Sequence, residues 1–292
     1  MTYYVRAPGT CGEFIQGSIG GQSFLVTCPI NRYSYALSQV KHPLHGYHCS
    51  LQPKSMLAKH KTLDYFGISR ELSKEIYVRS DIIQGKGMAS SSADISVSAM
   101  ATALAHGHTL SLKELEKICL SIEPTDAAFY PAIVQFDYIH GQISESLGIC
   151  PPMKIVIFDE GGTIDTVSFN QQPDLQEKIR EKEPLIKEAL DYFKDGLATH
   201  DISLIGQAAT LSAFANQRIL PKMNLYDFHE IGANLNSVGI IIAHSGTIMG
   251  LLFPNDYSGT KECINEIQSQ IPTLQYVDTV ETTCEGITYI KR

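Results

Sequence analysis

The stretch Gly85-Lys86-Gly87-Met88-Ala89-Ser90-Ser91-Ser92-Ala93-Asp94 constrains this chain more than any other. It follows a β-prone run, Glu75–Ile83, and enters the small-residue segment Ala89–Ala105. There Ile95, Val97, Ala99, Met100, Ala101 and Leu104 predict a mostly buried helix. Strand, glycine turn and helix in that order put the first helical amides, which have no partner inside the helix, at a strand end. Glycines let the backbone approach a ligand closely, and the helix dipole adds to the amides, so the segment is a candidate phosphate site. The serines add hydroxyls able to cap the helix, bond phosphate or ligate Mg²⁺. Taken alone, the same string is equally a glycine turn with a serine cap, because G-x-G strings are common.

Other glycine-loop chemistries fail on detail. The G-x-x-x-x-G-K-[ST] pattern of a P-loop is absent. A dinucleotide fingerprint needs a third glycine where Ser90 stands. No H-R-D or D-F-G string of a protein kinase is present.

Three further segments carry candidate chemistry. Ile122-Glu123-Pro124-Thr125-Asp126 sets two carboxylates three residues apart around a proline at a helix end. Near a bound nucleotide, one could hold Mg²⁺ and the other could orient or deprotonate an attacking hydroxyl. By itself the stretch also reads as a solvated helix terminus. Ala7-Pro8-Gly9-Thr10-Cys11-Gly12-Glu13, with Gln16-Gly17 soon after, suggests backbone meeting a ligand, or an ordinary turn between edge strands. Gly239–Leu251 reads as two apolar strands around the polar turn His244-Ser245-Gly246-Thr247.

The remaining pattern predicts an alternation of strands and helices in both halves. Strands are expected at Tyr3–Ala7, stopped by Pro8-Gly9, at Ser23–Cys28 and Arg32–Val40, separated by Pro29 and Asn31, at Ala132–Tyr138, Met153–Asp159, Leu274–Asp278 and Gly286–Lys291. Helices are expected at Leu57–Phe66, from the capping box Ser111/Glu114 to Ile122, at Asp174–Phe193 with a bend at Pro184, and at Ile202–Phe214, Asn224–Asn236 and Thr260–Ile271. Gly148–Pro152 reads as a linker. The expectation is an α+β chain with one unit at 1–152 and another at 153–292.

Composition narrows the function. With 292 residues and 43% hydrophobic content the chain can bury a core without staples. A net charge of −8 argues against the basic surface that sequence-blind nucleic-acid binding needs, but not against a bound nucleotide. Seven cysteines, none spaced C-x-x-C, point to reduced thiols and a cytoplasmic protein. Met1–Gly9 lacks the apolar core of a signal peptide, and no apolar run reaches the ~20 residues of a membrane span. His42, His45 and His48, then His106 and His108, have metal-like spacing without an accompanying acid or cysteine cluster, so no metal site is assigned to them. The charges between Asp174 and Lys194 read as a solvated helix face, and Cys11 has no partner base that would make it a nucleophile.

These four segments, in this order, resemble the GHMP family of small-molecule kinases, which includes galactokinase, homoserine kinase and mevalonate kinase. The family's G-L-G-S-S-A-A loop is similar to Gly87–Ala93, its first motif to Ala7–Glu13, its P-S-G-x-D turn to Glu123–Asp126 and its C-terminal glycine turn to Ala243–Gly250. Departures are Thr10, where many members carry lysine, Ala89, where many carry glycine, and a C-terminal turn poorer in glycine. The resemblance implies a two-lobed α+β fold, ribosomal-S5-like in the N-terminal lobe and ferredoxin-like in the C-terminal lobe, with the active site between them. It implies ATP bound by Gly85, Lys86, Gly87, Met88, Ala89, Ser90, Ser91 and Ser92. Mg²⁺ is expected on Ser90 and Glu123, with Ser91 as a second hydroxyl and Glu116 as a competing carboxylate. Asp126 is the expected catalytic residue, aligning the acceptor hydroxyl, and Glu13 is expected to face the acceptor at its ammonium. The implied acceptor is a small amino acid bearing a hydroxyl. Another small alcohol such as homoserine or mevalonate, or a nucleotide sensor without catalysis, are the competing readings. A monomer or homodimer is expected.

Overall fold

The computed structural model describes residues 2–38, 51–162 and 175–291. In chain order its elements are β1 (Tyr3–Ile19), β2 (Gln22–Ser38), α1 (Pro53–Tyr65), β3 (Ile76–Ser80), α2 (Ser90–Ala105), α3 (Leu112–Leu120), β4 (Ile133–Phe136), β5 (Ser144–Gly148) and β6 (Met153–Asp159). Then follow α4 (Leu175–Glu181), α5 (Glu183–Thr199), α6 (Ile202–Ala215), α7 (Leu225–Asn234), β7 (Gly239–Ile242), β8 (Ile248–Pro254), α8 (Thr260–Gln270), β9 (Gln275–Glu281) and β10 (Thr288–Lys291).

One antiparallel sheet runs β5-β4-β2-β1-β7-β8-β6-β9, with β10 also paired to β1 and β3 to β2. The boundary expected at 152/153 falls between β5 and β6, and strands from both sides join this sheet. Strand β1 is the seam. Its start pairs with β10 at Tyr3–Arg6, and its middle meets β7 at the single pair Glu13↔Ile242. Helix α2 packs on β1, β2 and β3, joining Ile95, Met100 and Leu104 to Val5, Ala36 and Ile76. Helices α5 and α6 cover the centre, where Phe14 and Phe193 lie 5.0 Å apart in a tilted ring pair. Helices α7 and α8 seal β6–β9 through Phe228, Ile231, Cys263 and Ile267.

Two expectations are corrected. The separate runs Tyr3–Ala7, Ser23–Cys28 and, as far as it is described, the run from Arg32 to Ser38 are parts of two 17-residue strands. Register shifts at Pro8/Gly9, Thr10/Glu13 and Glu13/Ile15 absorb the residues that break regular pairing. The pair closes through Gly20 (φ 60°) and Gly21 (φ 79°), both left-handed, as a two-residue hairpin turn of this hand requires. The single helix expected at Asp174–Phe193 is two helices separated at Lys182. Pro184 sits in the first turn of α5, where its missing N–H leaves nothing unpaired, so the break comes before the proline rather than at it. Strand β5 occupies a stretch for which no strand was expected. Helix α2 forms as expected and is buried around almost its whole circumference, as suits a helix without a polar stripe. Asp174, Gln39, Val40 and the His42/His45/His48 group lie outside the described residues. Among the described residues no helix is long and apolar enough to cross a membrane.

Candidate active site

Backbone meets backbone where the glycine segments converge. A Cβ on Gly87 (φ 87°) would lie 2.5 Å from Ala243 Cβ, and one on Gly246 would lie 2.2 Å from the Lys86 carbonyl oxygen. Thr247 N donates to that carbonyl at 3.2 Å, and the buried Lys222 ammonium donates to the Gly246 carbonyl. Thr10 N donates to the Met88 carbonyl at 3.0 Å. The spaces beside Gly9 and Gly12, where a ligand was expected, are filled by Met88 O at 2.8 Å and Ile242 O at 2.2 Å. Those glycines therefore lock the segments together. Gly85 (φ 74°) alone in the loop has open space where its Cβ would be.

Helix α2 starts without a side-chain cap. Its N-cap is Ala89 in the left-handed region (φ 54°, ψ 28°), so the serine cap that the loop allowed does not form. Ser90, Ser91 and Ser92 instead occupy the first turn with amides that have no intrahelical partner. Ser91 Oγ donates to Glu123. Ser92 Oγ donates to Asp126 Oδ2 at 3.3 Å and accepts from Asp126 N at 3.3 Å. The acidic turn is held from below by Thr125 N donating to the Tyr138 carbonyl at 3.0 Å.

One pocket is lined by Glu13, the loop from Gly85 to Ser92 except Lys86, and Glu123, Pro124, Asp126, His244 and Ser245. All four segments contribute to it. A neighbouring cavity shares Gly85, Ser90 and Ser91 with it and is lined further by Gln52, Pro53, Lys54 and Gln84. A third shares His244. Lys86 points its ammonium at Asp159, 2.5 Å away. Glu116 is not among the lining residues: Tyr130 Oη donates to it and Lys113 pairs with it at 3.1 Å.

Burial sets the charges. Glu13 is buried and its proton is held far more tightly than in water, first because burial disfavours the anion and then because Asp126 lies beside it. Burial also raises Asp126, to about 6, against hydrogen bonds from Ser92 and Glu13 that favour its ionised form. His244 is lowered to about 4 by burial and by the nearby charge of Lys182, so its imidazole is neutral at pH 7. Its ring stands edge-on to Tyr138 at 5.0 Å. Burial pushes the Cys11 thiol up, away from any nucleophilic role.

Sequence reasoning missed Lys54, which pairs with Glu123, and Tyr138, which lies beside Glu13 and Asp126. It left His244 without a role and hid Lys182 in a charged run. His106 and His108 serve the fold: the first accepts from Lys74 N at 3.2 Å, and the second stacks on Phe66 at 4.3 Å.

Residues 55–131 match the GHMP kinases N terminal domain. The chain is 32% identical over 249 residues to L-threonine kinase of Salmonella typhimurium, covering 85% of this chain and 81% of that protein. It is 30% identical over 249 residues to L-threonine kinase of Citrobacter freundii, covering 85% of each. The crystal structure of homoserine kinase from Cytophaga hutchinsonii superposes with a TM-score of 0.70 over 99% of this chain and 97% of that one. At 14% identity that likeness speaks for the fold.

Proposed function

The chain belongs to the GHMP kinases, and from that premise we propose that it transfers the γ-phosphoryl group of ATP to the hydroxyl of L-threonine, releasing ADP and O-phospho-L-threonine. The fold is the family's two-lobed α+β fold, and the activity is that of an ATP-dependent small-molecule kinase. The observation that carries the reading is the pocket in which the loop serines, Glu123, Asp126, Glu13 and His244 face one space. In support, Ala7–Gly17 and Ile122–Asp126 look most like L-threonine kinase of cobalamin biosynthesis, whose product is a precursor of the aminopropanol linker.

Phosphoryl transfer asks for positioning and charge neutralisation more than for covalent chemistry from the protein. In this reading the nucleotide occupies the cavity beside Lys54. Its phosphates lie at the shared Gly85, Ser90 and Ser91, against the unpaired amides of α2. Asp126 accepts the hydrogen bond of the acceptor hydroxyl. It takes the proton as the new O–P bond forms and the bond to the ADP oxygen breaks.

The donor set fits Mg²⁺ held together with phosphate. Among the described residues no group of three His, Cys, Asp or Glu side chains is gathered around one point. Of the three carboxyl groups that line the pocket, Glu13 and Asp126 interact with each other, and Glu123 lines it together with the Ser90 and Ser91 hydroxyls, the sparse oxygen set Mg²⁺ uses when phosphates and waters complete its shell. Ser90 and Glu123 would hold the ion, which supplies neutralisation of phosphate charge when bound. Glu123 releases its bond to Ser91 or to Lys54 to do so.

ADP release measured over L-threonine, L-serine, L-homoserine and mevalonate tests the acceptor. L-Serine lacks one methyl and is expected to be poorer by about 10–200-fold in kcat/KM. L-Homoserine carries its oxygen one carbon further and is expected to lose about 10²-fold. Mevalonate has no ammonium and is expected not to react. A higher kcat/KM for homoserine or mevalonate overturns the acceptor assignment, and no ADP release with any acceptor favours the sensor.

A further inference from the structure

We propose that Lys182, flanked by Gln16 and Asn216, is the site for the carboxylate of the acceptor, and so selects α-amino acids over neutral alcohols. The inference rests on the reading of the chain as an amino-acid kinase and adds to it a subsite centred on a residue outside the four segments.

The cavity that shares His244 with the reaction pocket is lined by Gln16, Tyr138, Lys182 and Asn216, with apolar walls that include Phe24 and Ile219. Lys182 sits at the break between α4 and α5 and is only 7% exposed. Its ammonium donates to the Gln16 carbonyl at 3.1 Å and to Asn216 Oδ1 at 2.7 Å. Both partners are neutral, and an ammonium has three hydrogens, so among the described residues one donor and the whole charge stay uncompensated. The two described acids that flank it in sequence are committed elsewhere. Glu183 accepts from Ser18 Oγ at 2.7 Å and from the amides of Gly20 and Gly21, and Glu181 pairs with Arg218 at 3.1 Å.

A buried cation facing only neutral oxygens is costly unless an anion joins it. The surroundings hold the position rather than relieve the cost. Glu183 ties the start of α5 to the β1–β2 turn, and Ser212 Oγ accepts from Gln16 N at 3.0 Å. Gln16 is 1% exposed, and neither atom of its side-chain amide has a partner. An ammonium hydrogen and an amide hydrogen beside a small cavity match the two oxygens of a carboxylate. Burial lowers the Lys182 pKa to about 8, the behaviour of a cation waiting for its counter-ion.

Placement supports the same occupant. Tyr138 lines this cavity, feels the charges of Glu13 and Asp126, and meets His244 edge-on. An amino acid lying across that junction puts its carboxylate at Lys182, its ammonium toward Glu13 and its hydroxyl at Asp126. Lys182 takes no part in the chemical step, and its contribution is to binding.

The test pairs L-threonine with L-threonine amide, which keeps the hydroxyl and amine and loses the negative charge. Wild-type protein is expected to favour the acid by about 10²-fold or more in kcat/KM. In Lys182→Met the acid falls by about 10²-fold, mainly through KM, while the amide changes by less than about three-fold. The KM for ATP stays unchanged in that variant. A merely structural lysine lowers acid and amide together, and that outcome overturns the proposal. If Lys182→Met does not fold, Gln16→Glu decides: its carboxylate would pair with Lys182 and displace the acceptor's, erasing the preference for the acid while sparing the amide. An unchanged acid-to-amide ratio in Gln16→Glu rejects the site. Should wild-type protein prefer homoserine, the L-threonine reading fails alone, and the same ratios on homoserine and its amide still judge Lys182. Preference for an acceptor without a carboxylate sinks both.

Discussion

The carboxyl groups of Glu13 and Asp126 line one pocket and feel each other there, and burial raises both above the ordinary carboxylate range. Two buried acids this close do not ionise together without cost, so the pair favours holding one proton between them. A cationic acceptor beside Glu13 would favour release of that proton. Asp126, whose ionised form the Ser92 hydrogen bond favours, is the member placed to accept a hydrogen bond from a hydroxyl. Its place is set by Ser92, which bonds both its backbone amide and its side chain.

Asp126→Asn is expected to keep nucleotide affinity and to lower kcat by about 10²–10⁴, the usual contribution of a positioned acid–base group. Steady-state rates together with nucleotide binding by calorimetry check this. Near-normal turnover in a folded variant removes Asp126 from the mechanism.

The acid limb of kcat/KM is expected near the Asp126 pKa of about 6, activity falling as pH drops and the carboxylate takes its proton. The Ser92 hydrogen bond favours the ionised form, so Ser92→Ala moves the limb to higher pH. A profile that stays level from pH 5 to 8, or a limb that moves the other way in Ser92→Ala, contradicts the assignment.

The same pair makes the resting protein less stable than it could be. Because the folded pKa of Asp126 is raised, the native state binds more protons than the unfolded chain between about 4 and 6, and stability falls as pH rises through that window. Asp126→Asn should raise Tm by a few degrees at pH 7.5, the scale of about 1 kcal/mol in a chain of this size. The gain should vanish by about pH 4, where the wild-type carboxyl is already neutral. Equal shifts at both pH values would show that charge burial is not the cause.

Ser90→Ala and Glu123→Gln are each expected to raise the Mg²⁺ concentration that half-saturates the rate. Glu116→Gln is expected to leave it unchanged, because Tyr130 and Lys113 engage that carboxylate outside the pocket. Magnesium titrations of the three variants separate the candidates. A shift in Glu116→Gln with none in Glu123→Gln reverses the choice.

Ala89 holds a left-handed conformation that costs a non-glycine residue about 1–2 kcal/mol. Ala89→Gly relieves that strain and loses part of the gain to the freer unfolded chain, so a net stabilisation of about 0.5–1 kcal/mol is expected in denaturant unfolding. A destabilised Ala89→Gly protein would mean that the methyl group's packing outweighs the strain.

Much of the fold was legible because short-range rules govern it. The Ser111/Glu114 capping box forms as read, β6 spans the Met153–Asp159 run, and the apolar small-residue segment after Gly87 is the buried helix it suggested. The long strands β1 and β2 were not legible, because Pro8, Pro29 and Asn31 are local breakers that only bulged pairing across the hairpin can absorb. The split at Lys182 was missed for a related reason: a proline marks where a helix can start as well as where one bends.

What the sequence determined by itself is the identity and order of the chemistry: a glycine-serine loop between strand and helix, an acidic turn after it, and a glycine turn near the end. Those depend on neighbours a few residues apart, and the chain's family membership follows from the same local strings. Tertiary structure alone decided which atoms face one another. Gly9, Gly12, Gly87 and Gly246 serve close backbone packing because residues from distant segments press on them. Glu123 reaches the pocket and Glu116 does not because the turn of the chain after α3 separates them. Burial raises Asp126 and lowers Lys182, and burial is a property of the whole packed molecule that no stretch of sequence carries alone.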